Sequence, residues 1–274
     1  MVRIAVLLTG LVRNYETNYK NLFDKFIDPV RLQGDIVDIF ICTWDIRGLY
    51  KTFKKYNGGD KTTKSDYLSH DKFDQSNLIK IYNPKKSLIL DQNNFRSSIW
   101  DKVVNFANKY ETTDYNRIFG CLYSQFYTVK KAFDIMEEYE EQIGIKYDIA
   151  IRQRFDMLYN KQLTLDDMNI KNNVINVINP VYPIGYRIHN FSGRKCENIV
   201  KIGYPDSYAL GYRNVIKKYC SFFDVLDKIK NEDLSVRKYG KEIIFPETLL
   251  TFSMRKFYGI NFNIMENITA SLSR

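Results

Sequence analysis

Histidine and cysteine are scarce: the chain has two histidines, His70 and His189, and four cysteines, Cys42, Cys121, Cys196 and Cys220, in 274 residues. Two histidines are too few for a histidine-based metal cluster. Cysteines this widely spaced, with no CxxC pairing, do not read as a zinc site or a disulfide framework. Free buried thiols in a reducing compartment are the expectation. The N-terminus lacks the order of a signal peptide, so a soluble, cytoplasmic protein is expected. No apolar run approaches the length of a membrane span. GxGxxG does not occur, which removes the dinucleotide fingerprint. Neither a polybasic block nor a basic and aromatic repeat is present, which argues against nucleic acid as the partner. Internal repeats, low-complexity segments and interdomain linkers are also missing.

What is present is a globular composition with 15% aromatic residues, and 41 Lys and Arg against 32 Asp and Glu, a net charge of +9. That balance favours an anionic partner. It also suits a partner at an anionic lipid surface, so peripheral membrane contact is compatible with the surface charge. A chain of this length can bury a substantial core.

Residues 3–8 form a short apolar run that reads as a buried strand, followed by Thr9, Gly10 and Arg13 in a turn. Tyr15, Tyr19, Leu22, Phe23 and Phe26 then recur at helical spacing, with Asn14 as the expected N-cap and Pro29 beyond the expected end. Gly10 permits close backbone approach, and Arg13 adds charge where a helix start already attracts anions. Residues 35–42 read as a second strand ending near Asp45. Residues 47–77, with Gly58 and Gly59, read as a long polar excursion, a candidate lid. Residues 87–90 form a third strand closed by Asp91, and a helix through Ile99, Trp100, Val103, Val104 and Ala107 follows. The clearest helix runs from Phe119 to Ile143, its apolar residues stepping by three or four.

The chain is organised around residues 147–159, YDIAIRQRFDMLY. Ile149 and Ile151 alternate as in a buried strand, and charge arrives where the strand should stop: Arg152, Arg154 and Asp156. In an open α/β sheet, ligands sit outside the carboxyl ends of the strands. Arginines there can fork onto phosphate, and an aspartate offers hard oxygen to Mg²⁺ or Mn²⁺, so a diphosphate with a divalent metal suits the mixture. The plainer reading is a strand ending in surface salt bridges. Beyond Asp156 the alternation loosens. Residues 174–178 read as a strand, 180–201 as an irregular loop containing His189, and 204–211 as a turn into a strand. One helix is expected through Ile216, Tyr219, Cys220, Phe223 and Ile229. A second, opened by Pro246 and Glu247, carries Leu249, Leu250, Phe252 and Phe257, and Asn261–Ile264 is the last expected strand.

The segments IAVLLTGLVRNYETNY, DIVDIFICTWD, PKKSLILDQ, SQFYTVKKAF, KYDIAIRQRFDML, PDSYALG and FPETLL, in this order, resemble small GT-A-type glycosyltransferases of bacterial polysaccharide clusters and large DNA viruses. The resemblance implies an α/β fold, with a Rossmann-type, mostly parallel central sheet flanked by helices and an irregular acceptor-side C-terminal half. It implies a single domain over 1–274, with a nucleotide-diphospho-sugar over 1–160 and the glycan acceptor and catalytic groups over 161–274; a viral source would put it in the host cytoplasm. By position, Arg154, Phe155 and Asp156 are similar to the DxD place of that family, whose final aspartate meets a divalent metal on the donor's diphosphate. Arg154 stands where the first acid would be, which leaves Mn²⁺ or Mg²⁺ assistance open. Thr9, Gly10 and Arg13 are similar to the nucleotide-binding loop, and Asp45 and Asp91 are candidates for ribose or base contact. Glu247 or Asp206 would be the general base that takes the proton of an acceptor hydroxyl as a UDP- or GDP-linked sugar is transferred. Plainer roles are a helix-dipole partner for Glu247 and a turn cap for Asp206. For Gln125 and Tyr127 ordinary packing is the expectation.

Two other readings stay open. A nucleotidyltransferase would carry a lysine- and glycine-rich phosphate loop, and the opening turn has no lysine. A non-catalytic nucleic-acid or glycan-binding module would bind without turnover.

Overall fold

A computed structural model describes residues 1–48, 71–109, 115–178, 206–229, 236–238, 241–243, 246–265 and 268–272. Its centre is a seven-stranded sheet. Strands β1 (Arg3–Gly10), β2 (Ile36–Trp44), β3 (Lys86–Leu90) and β4 (Ile149–Arg154) lie parallel in the order β4-β1-β2-β3. Strand β7 (Tyr208–Tyr212) runs antiparallel beside β4. Then come β6 (Val174–Val177), antiparallel to β7, and β10 (Asn261–Ile264), parallel to β6. Both halves of the chain therefore build one mostly parallel α/β sheet. Among the described residues, two short antiparallel pairs, β5 (Met157–Tyr159) with β11 (Ala270–Leu272) and β8 (Val236–Lys238) with β9 (Lys241–Ile243), complete the strands, and a short helix, α7 (Leu165–Met168), follows β5.

The near-continuous apolar runs of β1 and β2 follow from burial on both faces. Ile4, Val6 and Leu8 pack against α1 (Tyr15–Leu22), α2 (Asp28–Leu32) and α3 (Gln75–Tyr82). Ala5 and Leu7 meet α4 (Gln92–Lys109), α6 (Gln125–Ile143) and the layer containing α8 (Arg213–Cys220), α9 (Phe222–Ile229) and α10 (Pro246–Tyr258). The helix expected from Phe119 is a π-helical turn, Phe119–Ser124, preceded by α5 (Tyr115–Ile118) and continuing into α6. Gly144 closes it in the left-handed region at φ 67°, as the short connection to β4 requires.

Several boundaries differ from the sequence reading. Pro29 lies beyond α1 as expected but does not end the helical segment: a π turn, Phe23–Ile27, follows α1, and Pro29 sits in the first turn of α2, where a missing N–H is tolerated. Asn14 is at the N-cap position, but its side chain makes no capping bond. The single helix expected through Ile216 and Ile229 is two, broken at Ser221, whose hydroxyl donates to the Lys218 carbonyl at 2.8 Å. The excursion expected over 47–77 gives way to α3 at Gln75, capped by the Asp74 side chain; its residues 49–70, with Gly58 and Gly59, lie outside the described residues. Strand β11 follows the strand expected to be last. The second half, where described, is regular, and the whole of the loop expected at 180–201, His189 included, lies outside the described residues. Cys42 and Cys220 are buried free thiols, and burial pushes both far above the ordinary range. No helix among the described residues is long and apolar enough to cross a membrane.

Candidate functional site

The chain leaves β1 outward to β2 and β3, then returns to the other side of β1 as β4. The switch point therefore lies beyond the carboxyl ends of β1 and β4, the crevice where open α/β sheets receive ligands. In register, Leu7 faces Arg152 and Thr9 faces Arg154. Because β7 is antiparallel to β4, Asp206, two residues before its start, lies at this same edge. The edge thus gathers Thr9, Gly10, Arg13, Arg152, Arg154, Asp156 and Asp206.

Arg152 is fully buried, at 0% exposure. Side chains alternate along a strand, so it shares the face of Ala150, on the α6 and α8 side. Its Nε donates to Thr9 Oγ1 at 2.9 Å, whereas Nη1 and Nη2, both buried, have no hydrogen-bond partner among the described residues. A buried guanidinium with its fork unmatched is costly, and the fork geometry suits a phosphate or carboxylate.

Asp156 is 1% exposed and fully engaged. Arg154 donates from Nε to Oδ1 at 2.8 Å and from Nη2 to Oδ2 at 2.6 Å, and Arg13 Nη1 also donates to Oδ2. Burial by itself would raise this carboxyl, but the charges and hydrogen bonds of Arg154 and Arg13 outweigh it and hold it below the usual carboxylate range. Backbone geometry contributes to this arrangement. Arg13 sits at φ 33°, a strained position for a non-glycine residue, and Arg47 holds it there: the Arg13 N–H donates to the Arg47 carbonyl at 3.0 Å and Arg47 Nε to the Arg13 carbonyl at 3.2 Å. The turn after β4 is pinned by Asn18 Nδ2, which donates to the Phe155 carbonyl at 3.0 Å. Gly10, at φ 90°, ends β1, and Thr43 Oγ1 donates to its carbonyl at 2.6 Å.

On the second-half side, Gln125 Nε2 donates to Asp206 Oδ2 at 2.7 Å, and the Tyr219 hydroxyl donates to the Asp206 carbonyl at 3.2 Å. Burial raises the Tyr219 phenol; Arg152 opposes that rise, and Asp206 and Glu247 add to it. One phenol therefore feels the buried arginine and both candidate bases. Glu247 is in the first turn of α10, half-buried. Ser207 Oγ is buried here without a hydrogen-bond partner.

Asp45 and Asp91 end β2 and β3 at the same edge, two and three strands from β4, or about 10 and 14 Å at ordinary strand spacing. Their present bonds are structural. Asp45 pairs with Lys72 and accepts the Gln92 N–H at 3.2 Å; burial would raise its carboxyl, but Lys72 and Gln92 hold it below the usual range. Asp91 accepts the Asn94 N–H at 2.9 Å in the first turn of α4. Sequence reasoning did not single out Thr43, Asn18 or Arg47 for the site, and it expected only packing from Gln125. All four act through contacts 33 to 137 residues away, which no local pattern carries.

The donor set around Asp156, one carboxylate whose oxygens already face two guanidiniums, does not fit a hard divalent cation, which asks for several oxygen ligands. Among the described residues no group of three or more His, Cys, Asp or Glu side chains could hold a metal ion. No protein-family model and no curated protein matches the chain.

Proposed function

We propose that the protein is a glycosyltransferase that moves a sugar from a nucleotide-diphospho-sugar, UDP- or GDP-linked, to a hydroxyl of a glycan acceptor. The observation that carries this reading is Arg152: a buried guanidinium whose Nη groups have no partner among the described residues, at the sheet's switch point, with Arg13 and Arg154 beside it. Such a cluster suits the diphosphate of the donor, and Asp45 and Asp91 lie a nucleotide's length away for ribose or base. The acceptor oxygen forms a bond to the anomeric carbon as the bond to the β-phosphate oxygen breaks. The electron pair leaves with the nucleoside diphosphate, whose charge the guanidiniums offset. Glu247 or Asp206 takes the acceptor's proton. Gln125 and Tyr219 orient Asp206, which supports it for that role or for holding a donor-sugar hydroxyl.

A thermal-shift panel of UDP, GDP, CMP and their common sugar conjugates, each with and without Mn²⁺, tests the reading. A ligand that binds the native state raises its apparent stability, and no acceptor is needed. A rise with one nucleotide family, followed by transfer to a glycan mixture, is the expected result. A folded protein that responds to none of them refutes the proposal.

A further inference from the structure

We infer that this site offsets its diphosphate with guanidinium groups alone, and that Asp156 is a positioning residue for Arg13 and Arg154, not a ligand for a divalent cation; the inference rests on the nucleotide-sugar reading above. Two arginines, Arg13 and Arg154, pair with the Asp156 carboxylate, and a third, Arg152, is buried at the same edge of β1 and β4, so these four side chains together carry two positive charges. A diphosphate esterified at both ends carries two negative charges, so the cluster supplies the charge that a bound dication would bring. Both oxygens of Asp156 already face guanidiniums. A dication there would either displace them or sit against two like charges in a buried place, where repulsion is weakly screened.

Among the described residues, three other carboxylates near this edge have partners of their own: Asp45 in Lys72 and the Gln92 N–H, Asp91 in Asn94, and Asp206 in Gln125. Arg13 reaches Asp156 from a backbone in the left-handed region, held by Arg47. Strain of this kind persists where the surroundings over-determine a functional geometry. Asp156 thus turns two flexible cations into a fixed pair beside the buried fork of Arg152. Once the diphosphate arrives, the Arg152 fork offers donors in the planar geometry phosphate oxygens accept, with the charges of Arg13 and Arg154 at the same edge.

The test is calorimetric titration of UDP and of GDP into the full chain, in EDTA and again in Mn²⁺, for the wild type, Asp156→Asn and Asp156→Glu. The expected result is a wild-type Kd that agrees within about threefold between EDTA and Mn²⁺, and a Kd weakened by about tenfold or more in Asp156→Asn under both conditions. Asp156→Glu, which keeps a carboxylate for the two arginines, recovers most of the loss. A wild-type affinity that collapses in EDTA to the level of Asp156→Asn overturns the inference, as does Mn²⁺ tightening binding equally in wild type and variant. The wild-type comparison stands even if a variant fails to fold. Absence of nucleotide binding under every condition, by a protein folded by circular dichroism, instead removes the nucleotide-sugar reading on which the inference depends.

Discussion

Replacing Arg152 by methionine together with Thr9 by valine should make the ligand-free protein more stable and abolish its response to the donor. The side chain is fully buried, its single hydrogen bond is from Nε to Thr9 Oγ1, and both Nη groups are unmatched. Each buried unsatisfied polar group costs about 1–3 kcal/mol, and the one charged hydrogen bond returns about 1.5–3 kcal/mol. Methionine fills a similar volume without either term, and valine at position 9 removes the buried hydroxyl that would otherwise lose its donor, so the balance favours the double variant by about 1–3 kcal/mol. For a protein this large that raises Tm by roughly 2–4 °C per kcal/mol. At a donor concentration of 1,000 times Kd the wild type gains about 4.1 kcal/mol and the variant nothing. The two melting curves should therefore exchange order: the variant melts higher alone, the wild type higher with saturating donor. Differential scanning fluorimetry reads both. A ligand-free variant that melts well below the wild type would refute the reasoning, because the guanidinium would then be a net stabiliser with no need of an anion.

Glu247→Gln should lower kcat by about 10²–10⁴-fold with little change in donor KM if Glu247 is the base. Full activity in that variant passes the role to Asp206, for which Asp206→Asn is the matching measurement. Gly10→Ala meets no atom within 4 Å of the added carbon, so its cost is backbone strain at φ 90°, about 1–2 kcal/mol in a urea unfolding midpoint; an unchanged midpoint refutes this. The Asp156 carboxyl is held low in the folded state, so its contribution is fully present above the unfolded value and is lost as pH falls through the folded one. Urea unfolding should show wild-type stability falling below about pH 4 more steeply than that of Asp156→Asn, and parallel pH profiles would contradict the buried pairing.

The sequence carried the elements whose signal is local. The apolar runs of β1 and β2 and the three-and-four spacing of α6 mark surfaces buried on a regular lattice, and that burial dictates residue type at fixed intervals. The charges closing residues 147–159 were equally visible, because a polar side chain at the end of an apolar run breaks its pattern. The π turn that accommodates Pro29 left no such trace, and neither did the break at Ser221, since both keep the helical spacing of apolar residues.

Tertiary structure alone decided what those charges do. From sequence, Arg152, Arg154 and Asp156 are three residues of one strand end. Register with β1 buries Arg152 against Thr9, 143 residues away, and brings Arg13 to Asp156 across the same separation. The antiparallel insertion of β7 carries Asp206 to Gln125 and the switch point. Whether a guanidinium is solvated, paired or left buried with its fork unmatched depends on which distant backbone lies beside it. Strand order and register fix that neighbour, and the residue types along one segment hold no record of it.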